Sequence, residues 1–437
     1  MADSTTLPST ARDLDDPIRH NRIWAVLVAV NTYAHREAKP LRGAVNDSDD
    51  FYDLLTITLK VHSSHIVRLS NEEATRTRIL DVLFSHLINN SAIERGDTIV
   101  FYYAGHGDRR IAPAGWNAVG YPTTVELICP HDEGMPDQAG RPIVGIPSRT
   151  FGGLMRRLAH EKGDNIMTVF DCCHSGGMHR GPASAGRTRY LSAESSIPRF
   201  PIPEDLDQEI WAWQDPDAGR GVAMVPVVQP DTGFSILEAR SHVLLAACAP
   251  DQTAQEHIIL DKPRGVFTYL LLKRMRMRLG EPDLTYARLM NALRKQDHLG
   301  LWGPGAPLPV MVWHLQTPVC LGQNKHRLVF SLDEELEAAS TFPIRYDRGI
   351  LYVGAGCCNN IIKGMQFIVE VPVEMRGSLN LKHLVLTAES VGDVHCTVQC
   401  GAYDTVPPEI GVALDGKDAI LCTDVTKLPH MRRPSLG

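Results

Sequence analysis

The stretch NIMTVFDCCHSGG spans residues 165–177 and joins an apolar run to an acid, two thiols and a glycine-rich turn. A second apolar run, IVFYYAGHG at residues 99–107, ends in the same way around His106. β-Branched and aromatic residues favour strands, and open parallel sheets place their sites at the carboxyl ends of the strands. The two runs therefore predict neighbouring strands of an α/β sheet that bring a cysteine and a histidine to one edge.

Side-chain alternation indicates which cysteine would react. Successive side chains of a strand point to opposite faces, so Asp171 and Cys173 share a face and Cys172 points away. A free thiol with a pKa of about 8.5 needs an adjacent base to form the thiolate, and His106 has a suitable unperturbed pKa near 6.5. The glycine-rich turn lets a backbone N–H approach a substrate carbonyl, and Gly107 is a candidate for a second such donor.

Each motif alone also has a plainer interpretation. Cysteine is often a small buried hydrophobe, and a lone histidine is more often a hydrogen-bonded core or surface residue. Both motifs, however, follow strand-like runs at the end where parallel sheets carry their sites. Their combination favours a catalytic pair of His106 and Cys173.

Three phrases carry a family resemblance: GAVNDSDDF at 43–51, YYAGHGD at 102–108 and DCCHSGG at 171–177. They resemble the metacaspases and, more closely, the caspase-domain proteins of fungi. Further phrases such as SHVLLAACAPDQTAQE and GVFTYLLL extend the resemblance over residues 23–323. It implies a caspase-like, mostly parallel sheet flanked by helices, with the small β-rich C-terminal domain outside the matched region.

The resemblance also implies roles for individual residues. Cys173 becomes the nucleophile, His106 the general base and acid, and the N–H groups of Cys173 and Gly107 the oxyanion hole. Asp47 and Asp171 become walls of an acidic specificity pocket. Carboxylates there would pair with a substrate guanidinium or ammonium and repel an acid, so cleavage after Arg or Lys is expected.

Asp47 has an alternative role as a helix-start residue. The run Asn46-Asp47-Ser48-Asp49-Asp50 is dense in residues that cap helix N-termini. Both roles stay open from the sequence.

Two features depart from the metacaspase pattern. Ala104 stands where many relatives have a pocket serine, and residues 147–150 (Pro-Ser-Arg-Thr) stand where calcium-activated relatives have paired aspartates. Calcium takes six to eight oxygen ligands, and the nearest carboxylates left are Asp132, Glu133 and Asp137. No cofactor is predicted with certainty, and Ca²⁺ stays an alternative that lacks its usual paired aspartates.

Composition narrows the class of protein. At 437 residues with 43% apolar content, the chain can bury the core of one large and one smaller domain. The net charge of -7 gives no footprint for nucleic acid, so the expected partners are protein or peptide substrates with basic residues. The chain has no apolar run long enough to span a membrane and no apolar signal core in MADSTTLPSTARDLDD. Ten cysteines without regular spacing predict reduced thiols and a cytoplasmic location. The oligomeric state stays open.

Strand signals lie near 23–31, 65–69, 97–104 and 165–171, and helix signals at 75–87, 149–160 and 265–279. This alternation predicts a mostly parallel sheet flanked by helices. Beyond Gly322, short β runs recur, the first at 326–332. The predicted organisation is an N-terminal tail (1–22), a large-subunit region with the dyad (23–178), a connector (179–240), a small-subunit-like region (241–323) and a β-rich domain (324–437).

The connector is long and rich in Pro, Gly, Arg and Asp, and such loops are usually functional or disordered. In the family it is a processing region, which makes Arg187, Arg189, Arg199 and Arg220 candidate self-cleavage points; a plain linker is the alternative. A connector arginine is also a candidate pseudo-substrate for the acidic pocket. The sequence thus predicts a cytoplasmic cysteine endopeptidase of metacaspase type, with a caspase-fold scaffold of little or no activity as the alternative.

Overall fold

The computed structural model describes residues 22–116, 124–172, 187–189, 200–213, 241–249, 252–279, 281, 284–294, 316–331, 341–355, 361–371, 383–392, 395–400 and 407–421. The strands before residue 340 are β1 (Ile23–Ala29), β2 (Ile66–Ser70), β3 (Thr98–Ala104), β4 (Gly107–Ile111), β5 (Thr124–Ile128), β6 (Ile146–Pro147), β7 (Ile166–Asp171), β8 (Arg187–Thr188), β9 (Val243–Ala246), β10 (Gln255–Ile259), β11 (Lys262–Gly265) and β12 (Val319–Leu321). The helices of this part are α1 (Ala44–Asp53), α2 (Arg76–Val82), α3 (Ser148–Lys162), α4 (Gln208–Trp211), α5 (Val266–Arg278) and α6 (Tyr286–Arg294).

A six-stranded sheet forms the centre of this part, in the order β12-β9-β7-β3-β1-β2. All its pairings are parallel except that of β12 with β9. Every residue of β1, β3 and β7 is buried, as expected for parallel strands covered on both faces. The predicted α/β class and the caspase-like layering are therefore confirmed.

Alternate residues of the central strands face two separate cores. One core packs β1, β3 and β7 against α1, α5 and α6, and the other packs them against α2 and α3. The predicted strands near 23–31, 97–104 and 165–171 and the helices near 149–160 and 265–279 are present. The predicted helix from Thr75 to Leu87 consists of α2 followed by a wider helical turn at Leu83–Ile88.

Two small antiparallel sheets were missed by the sequence prediction. The first has the order β4-β5-β6 and the second β11-β10-β8. They flank the carboxyl ends of the central strands, because β4 begins directly after His106 and β11 ends directly before α5.

A closed antiparallel barrel forms the C-terminal part, in the order β13-β14-β17-β16-β15-β18. Its elements are β13 (Thr341–Asp347), β14 (Ile350–Val353), β15 (Gln366–Glu370), β16 (His383–Val391), β17 (Cys396–Cys400), α7 (Pro408–Leu414) and β18 (Asp418–Leu421). Closure leaves no sheet edge, and the interior is apolar, as at Phe342, Val353 and Phe367. The predicted small β-rich domain is present as this barrel.

One predicted β run, at 326–332, is wrong over its described residues. Gln323–His326 is a short helical turn, and Val329 and Phe330 are buried in the core beneath α5 and α6. The described part of this run therefore serves core packing and forms an isolated bridge between Leu328 and Thr285 in place of a strand, and β13 begins at Thr341. Among the described residues, no helix has the length and apolar character needed to cross a bilayer.

Candidate active site

The carboxyl ends of three central strands lie side by side. Ala29 at the end of β1 is the register partner of Ala104 at the end of β3, and Ala104 is the partner of Asp171 at the end of β7. Residues that follow these strands therefore project from one edge of the sheet. His106 and Asp171, both singled out from the sequence, are brought together there.

A network of hydrogen bonds fixes the backbone of His106, which is 1% exposed. Its N–H donates to the Tyr33 hydroxyl at 2.7 Å, and its carbonyl accepts from the Tyr103 hydroxyl at 2.7 Å. A Cβ at Gly105 would lie 2.6 Å from that Tyr103 hydroxyl. A side chain there would displace the hydroxyl that binds the His106 carbonyl, so glycine at this position preserves the network.

The ring of His106 has its two nitrogens in different environments. Nε2 lies 2.7 Å from the carbonyl oxygen of Lys39, and because a carbonyl only accepts, Nε2 carries the proton. The buried Nδ1 has no hydrogen-bond partner among the described residues. Burial lowers the pKa of His106 to about 4, although the Lys39 carbonyl opposes the shift. The imidazole is therefore neutral at pH 7, with Nδ1 available to accept a proton.

The two predicted pocket acids, Asp47 and Asp171, are fully buried and lie close to the start of α5. Asp47 accepts the N–H of Gly265 at 2.9 and 3.0 Å. Asp171 Oδ2 accepts from the N–H of Thr268 at 3.2 Å and from its hydroxyl at 2.6 Å. The positive end of a helix favours such carboxylates.

Gly265 was not singled out from the sequence, although it begins the phrase GVFTYLLL. A Cβ at this position would overlap the Asp171 carboxylate and lie 2.8 Å from Asp47 Oδ2. The absence of a side chain is therefore what leaves room for a ligand between the two acids.

The side chain of Arg189, from the connector, fills this space and is 0% exposed. Its Nη1 lies 3.0 Å from Asp171 Oδ2 and its Nη2 pairs with Asp47. Burial alone would lower the pKa of Arg189, but Asp171 and Asp47 raise it well above its ordinary value. The pKa of Asp47 is itself raised by burial, against the opposing charge of Arg189. The connector thus supplies the cation that these acids would otherwise lack.

The backbone of Arg189 is held in an extended conformation. β8, directly before it, pairs antiparallel with β10, and the Arg189 N–H donates to the Ala254 carbonyl at 3.0 Å. The Arg189 carbonyl accepts the N–H of Gly107 at 3.1 Å. The Arg189 side chain thus lies in an acidic pocket while its backbone carbonyl accepts a backbone N–H. Acyl transfer at a carbonyl requires such a donor at the carbonyl oxygen.

Cys173 lies outside the described residues, as do Arg199 and Arg220. Cys172, directly before Cys173, is 1% exposed and packs with Phe170 in the core opposite the acidic pocket. Asp171 and Cys172 thus point to opposite sides of the sheet. The role of Cys173, and of its N–H in an oxyanion hole, remains a prediction.

The three acids left as calcium candidates are engaged by donors of the chain itself. Asp132 accepts the N–H of Arg76 at 2.8 Å, and Asp137 accepts N–H groups of its own turn. Glu133 pairs with Arg110, while burial raises the pKa of Glu133 to about 7. Within the described parts of the chain, no group of three or more potential ligands is arranged to hold a metal ion.

Comparison with known proteins identifies relatives of this chain. Residues 22–296 match the profile of the caspase domain, a peptidase family. The chain is 24% identical to Metacaspase-1 of Arabidopsis thaliana over 288 residues. This match covers 64% of this chain and 65% of that relative. The matched region thus spans less than two thirds of the relative's length.

Solved structures give weaker matches. A protein from Geobacter sulfurreducens has a TM-score of 0.41 at 16% identity, covering 69% of this chain and 93% of its own. Caspase-1 from Spodoptera frugiperda has a TM-score of 0.37 at 12% identity, covering 72% and 92%.

Proposed function

The chain belongs to the caspase-domain family, and on that premise we propose that it is a cysteine endopeptidase that cleaves after Arg or Lys. Cys173 is the nucleophile of this proposal and His106 the base. The observation that carries it is the position of Arg189, whose guanidinium lies between Asp47 and Asp171 while its carbonyl accepts the N–H of Gly107. A peptide substrate would bind in the same way.

The chemistry follows from the two nitrogens of His106. Nδ1 takes the thiol proton of Cys173, and the thiolate attacks the carbonyl carbon of the basic residue. The oxyanion that forms is stabilised by the N–H of Gly107 and by that of Cys173. His106 returns the proton to the leaving amine, and water then hydrolyses the thioester with His106 again as base.

Specificity for a basic residue follows from buried charge. Asp47 and Asp171 are both fully buried, and removing the cation from such a group leaves a buried charge uncompensated, at a cost of about 3 to 5 kcal/mol. A neutral substrate residue would leave both acids in that state, and an acidic one would add repulsion. Arg or Lys is therefore the residue that this pocket accepts.

The same contacts make Arg189 the favoured self-cleavage point among the four connector arginines. Its side chain occupies the pocket, and its carbonyl is the one on the Gly107 donor. Arg187 lies in β8, two residues before that carbonyl. Until the bond after Arg189 is cut, the connector competes with any other substrate at the effective concentration of a tethered ligand. We also propose that the protein acts in the cytoplasm, as the cysteine content predicts.

The proposal is tested with fluorogenic peptides that end in Arg, Lys or Asp, incubated with the full-length protein and with the Cys173→Ala variant. Hydrolysis of the Arg and Lys peptides by the native chain alone is the expected result. A correctly folded chain that hydrolyses none of them would favour the alternative, a scaffold that uses the pocket only to hold its own connector.

A further inference from the structure

The acidic pocket contains a third carboxylate, that of Glu256 on β10. Glu256 is 3% exposed, and its Oε2 lies 3.8 Å from Arg189 Nη2. Nη1 of the same guanidinium contacts Asp171 on the other side. The pocket therefore has acids at both ends of the guanidinium fork, with Asp47 and Glu256 together at Nη2.

The Glu256 carboxylate is held by the backbone that leads into α1. It accepts the N–H of Arg42 at 3.0 and 3.3 Å and that of Gly43 at 2.9 Å. Gly43 directly precedes α1, the helix that carries Asp47. These hydrogen bonds connect β10, which pairs with β8 of the connector, to α1, which carries Asp47.

Gly43 and Gly265 lie in the pocket wall next to Glu256 and leave little free space around it. A Cβ at Gly43 would lie 3.0 Å from Glu256 Oε2 and 3.1 Å from Arg189 Nη2. Glu256 is also the register partner of Gly265, whose N–H holds Asp47. The position of Glu256 relative to Asp47 is thus fixed from two sides.

We propose that Glu256 is a specificity-determining residue that makes the pocket select arginine over lysine. This inference rests on the proposed function. Arginine presents two terminal nitrogens in a planar fork, so one can reach Asp171 while the other lies between Asp47 and Glu256. Lysine has a shorter side chain, and its ammonium is a single point charge. It can pair with the acid at one end of the pocket but not with both ends at once. A lysine substrate leaves Glu256 without a cation.

The discriminating variant is Glu256→Gln, because glutamine has the same shape, removes the charge and keeps one side-chain oxygen, which can accept the N–H of Gly43, while its NH2 replaces the oxygen that faces the N–H of Arg42. Protein that has completed self-cleavage is assayed with two peptides that differ only in Arg or Lys at the cleaved position. We expect the ratio of kcat/KM for Arg over Lys to fall about tenfold, mainly through KM for the Arg peptide. Glu281→Gln, which removes a surface partner of Arg278, is the matched control and should keep the native ratio.

An equal loss on both peptides would show that Glu256 only supports the fold, and an unchanged ratio would overturn the proposal outright. If Glu256→Gln does not fold, Glu256→Asp keeps the charge on a shorter side chain. In Glu256→Asp, the ratio of kcat/KM for Arg over Lys should fall only slightly. Any loss of kcat/KM that both peptides share should be larger than that fall.

A binding measurement separates this inference from the proposed function. In Cys173→Ala protein that also carries Arg189→Gln, the pocket is open to agmatine and to cadaverine, the decarboxylated forms of arginine and lysine. Both carry the same second ammonium, which corresponds to the amino acid's α-amine, so they differ only in the guanidinium or ammonium that enters the pocket. Calorimetry should show tighter binding of agmatine, and Glu256→Gln should weaken agmatine more than cadaverine. This result would support the role of Glu256 even if the native chain hydrolysed neither peptide. Equal weakening of both amines would contradict it.

Discussion

The backbone N–H of Gly107 donates a hydrogen bond to the carbonyl oxygen of Arg189, with a nitrogen–oxygen distance of 3.1 Å. Gly107 follows the proposed base His106 directly, and Arg189 is anchored in the acidic pocket by its side chain. Arg189 of the connector thus has both features expected of a bound substrate: a basic side chain in the acidic pocket and a carbonyl on the N–H of Gly107. The connector is the first peptide that this site would meet.

Removing the Arg189 charge should free the site. In the Arg189→Gln variant we expect self-cleavage to stop, while hydrolysis of an added Arg peptide begins without the lag expected of the native chain, whose pocket holds Arg189. Neutral glutamine cannot compensate the buried acids, so it no longer competes for the pocket. Gel electrophoresis and a continuous peptide assay follow the two activities. Arg199→Gln and Arg220→Gln are the controls and should keep both lag and self-cleavage; loss of self-cleavage in either would contradict the account.

The two adjacent cysteines should differ in what they contribute. Cys173→Ala is expected to abolish hydrolysis, because it removes the proposed nucleophile. Cys172→Ala should keep more than half of the activity and lower the free energy of unfolding by about 1 kcal/mol, since Cys172 packs in the core. Peptide assays combined with urea denaturation distinguish the two effects. Full activity of Cys173→Ala would remove the proposed nucleophile from the mechanism.

Gly265 should tolerate no side chain. A methyl group there would overlap the Asp171 carboxylate, so Gly265→Ala is expected to reduce kcat/KM for Arg peptides by about a hundredfold or more. Gly392→Ala is a suitable control, because a Cβ at that position meets nothing closer than 3.4 Å. The control should behave as the native chain does. Native activity in Gly265→Ala would show that substrates bind elsewhere.

The pH dependence of self-cleavage should reflect the buried imidazole of His106. Its pKa is lowered to about 4, and a base with a depressed pKa stays deprotonated until the pH falls through that value. We therefore expect the rate of loss of the full-length band to hold from pH 7 to about pH 5 and to decline toward pH 4. A rate that halves near pH 6.5 would show that His106 titrates as it does in solvent.

Unfolding must be followed in the same experiment. Burial also lowers the pKa of His242 and His326 to about 4. Between pH 6.5 and pH 4 the unfolded chain binds more protons than the folded chain at these two histidines, so their contribution to stability falls as the pH falls. Glu133, whose pKa burial raises to about 7, contributes with the opposite sign. Circular dichroism at each pH separates this loss from protonation of the base.

Local patterns in the sequence predicted the central strands and most of their flanking helices, because buried parallel strands are continuous apolar runs. They also led to His106 and Asp171, whereas the pocket role of Asp47 came from the family resemblance. The small sheets around the site were missed, since β10 and β11 carry polar residues such as Gln255 and Lys262 that give no clear strand signal.

The occupant of the pocket could not be predicted for a different reason. Four connector arginines are equivalent by composition, and only the pairing of β8 with β10 brings Arg189 to Asp171. Glu256 and Gly265 act on residues more than two hundred positions away in the chain. No local pattern reports such a contact.

The most direct test of the account is to identify the first bond that the protein cuts in itself. Purified full-length chain is incubated at neutral pH, and the new carboxyl terminus is determined by mass spectrometry, with Cys173→Ala protein as the uncut control. The account predicts a single early terminus at Arg189. An early terminus at Arg199 or Arg220, or a cut that persists in Cys173→Ala, would contradict it.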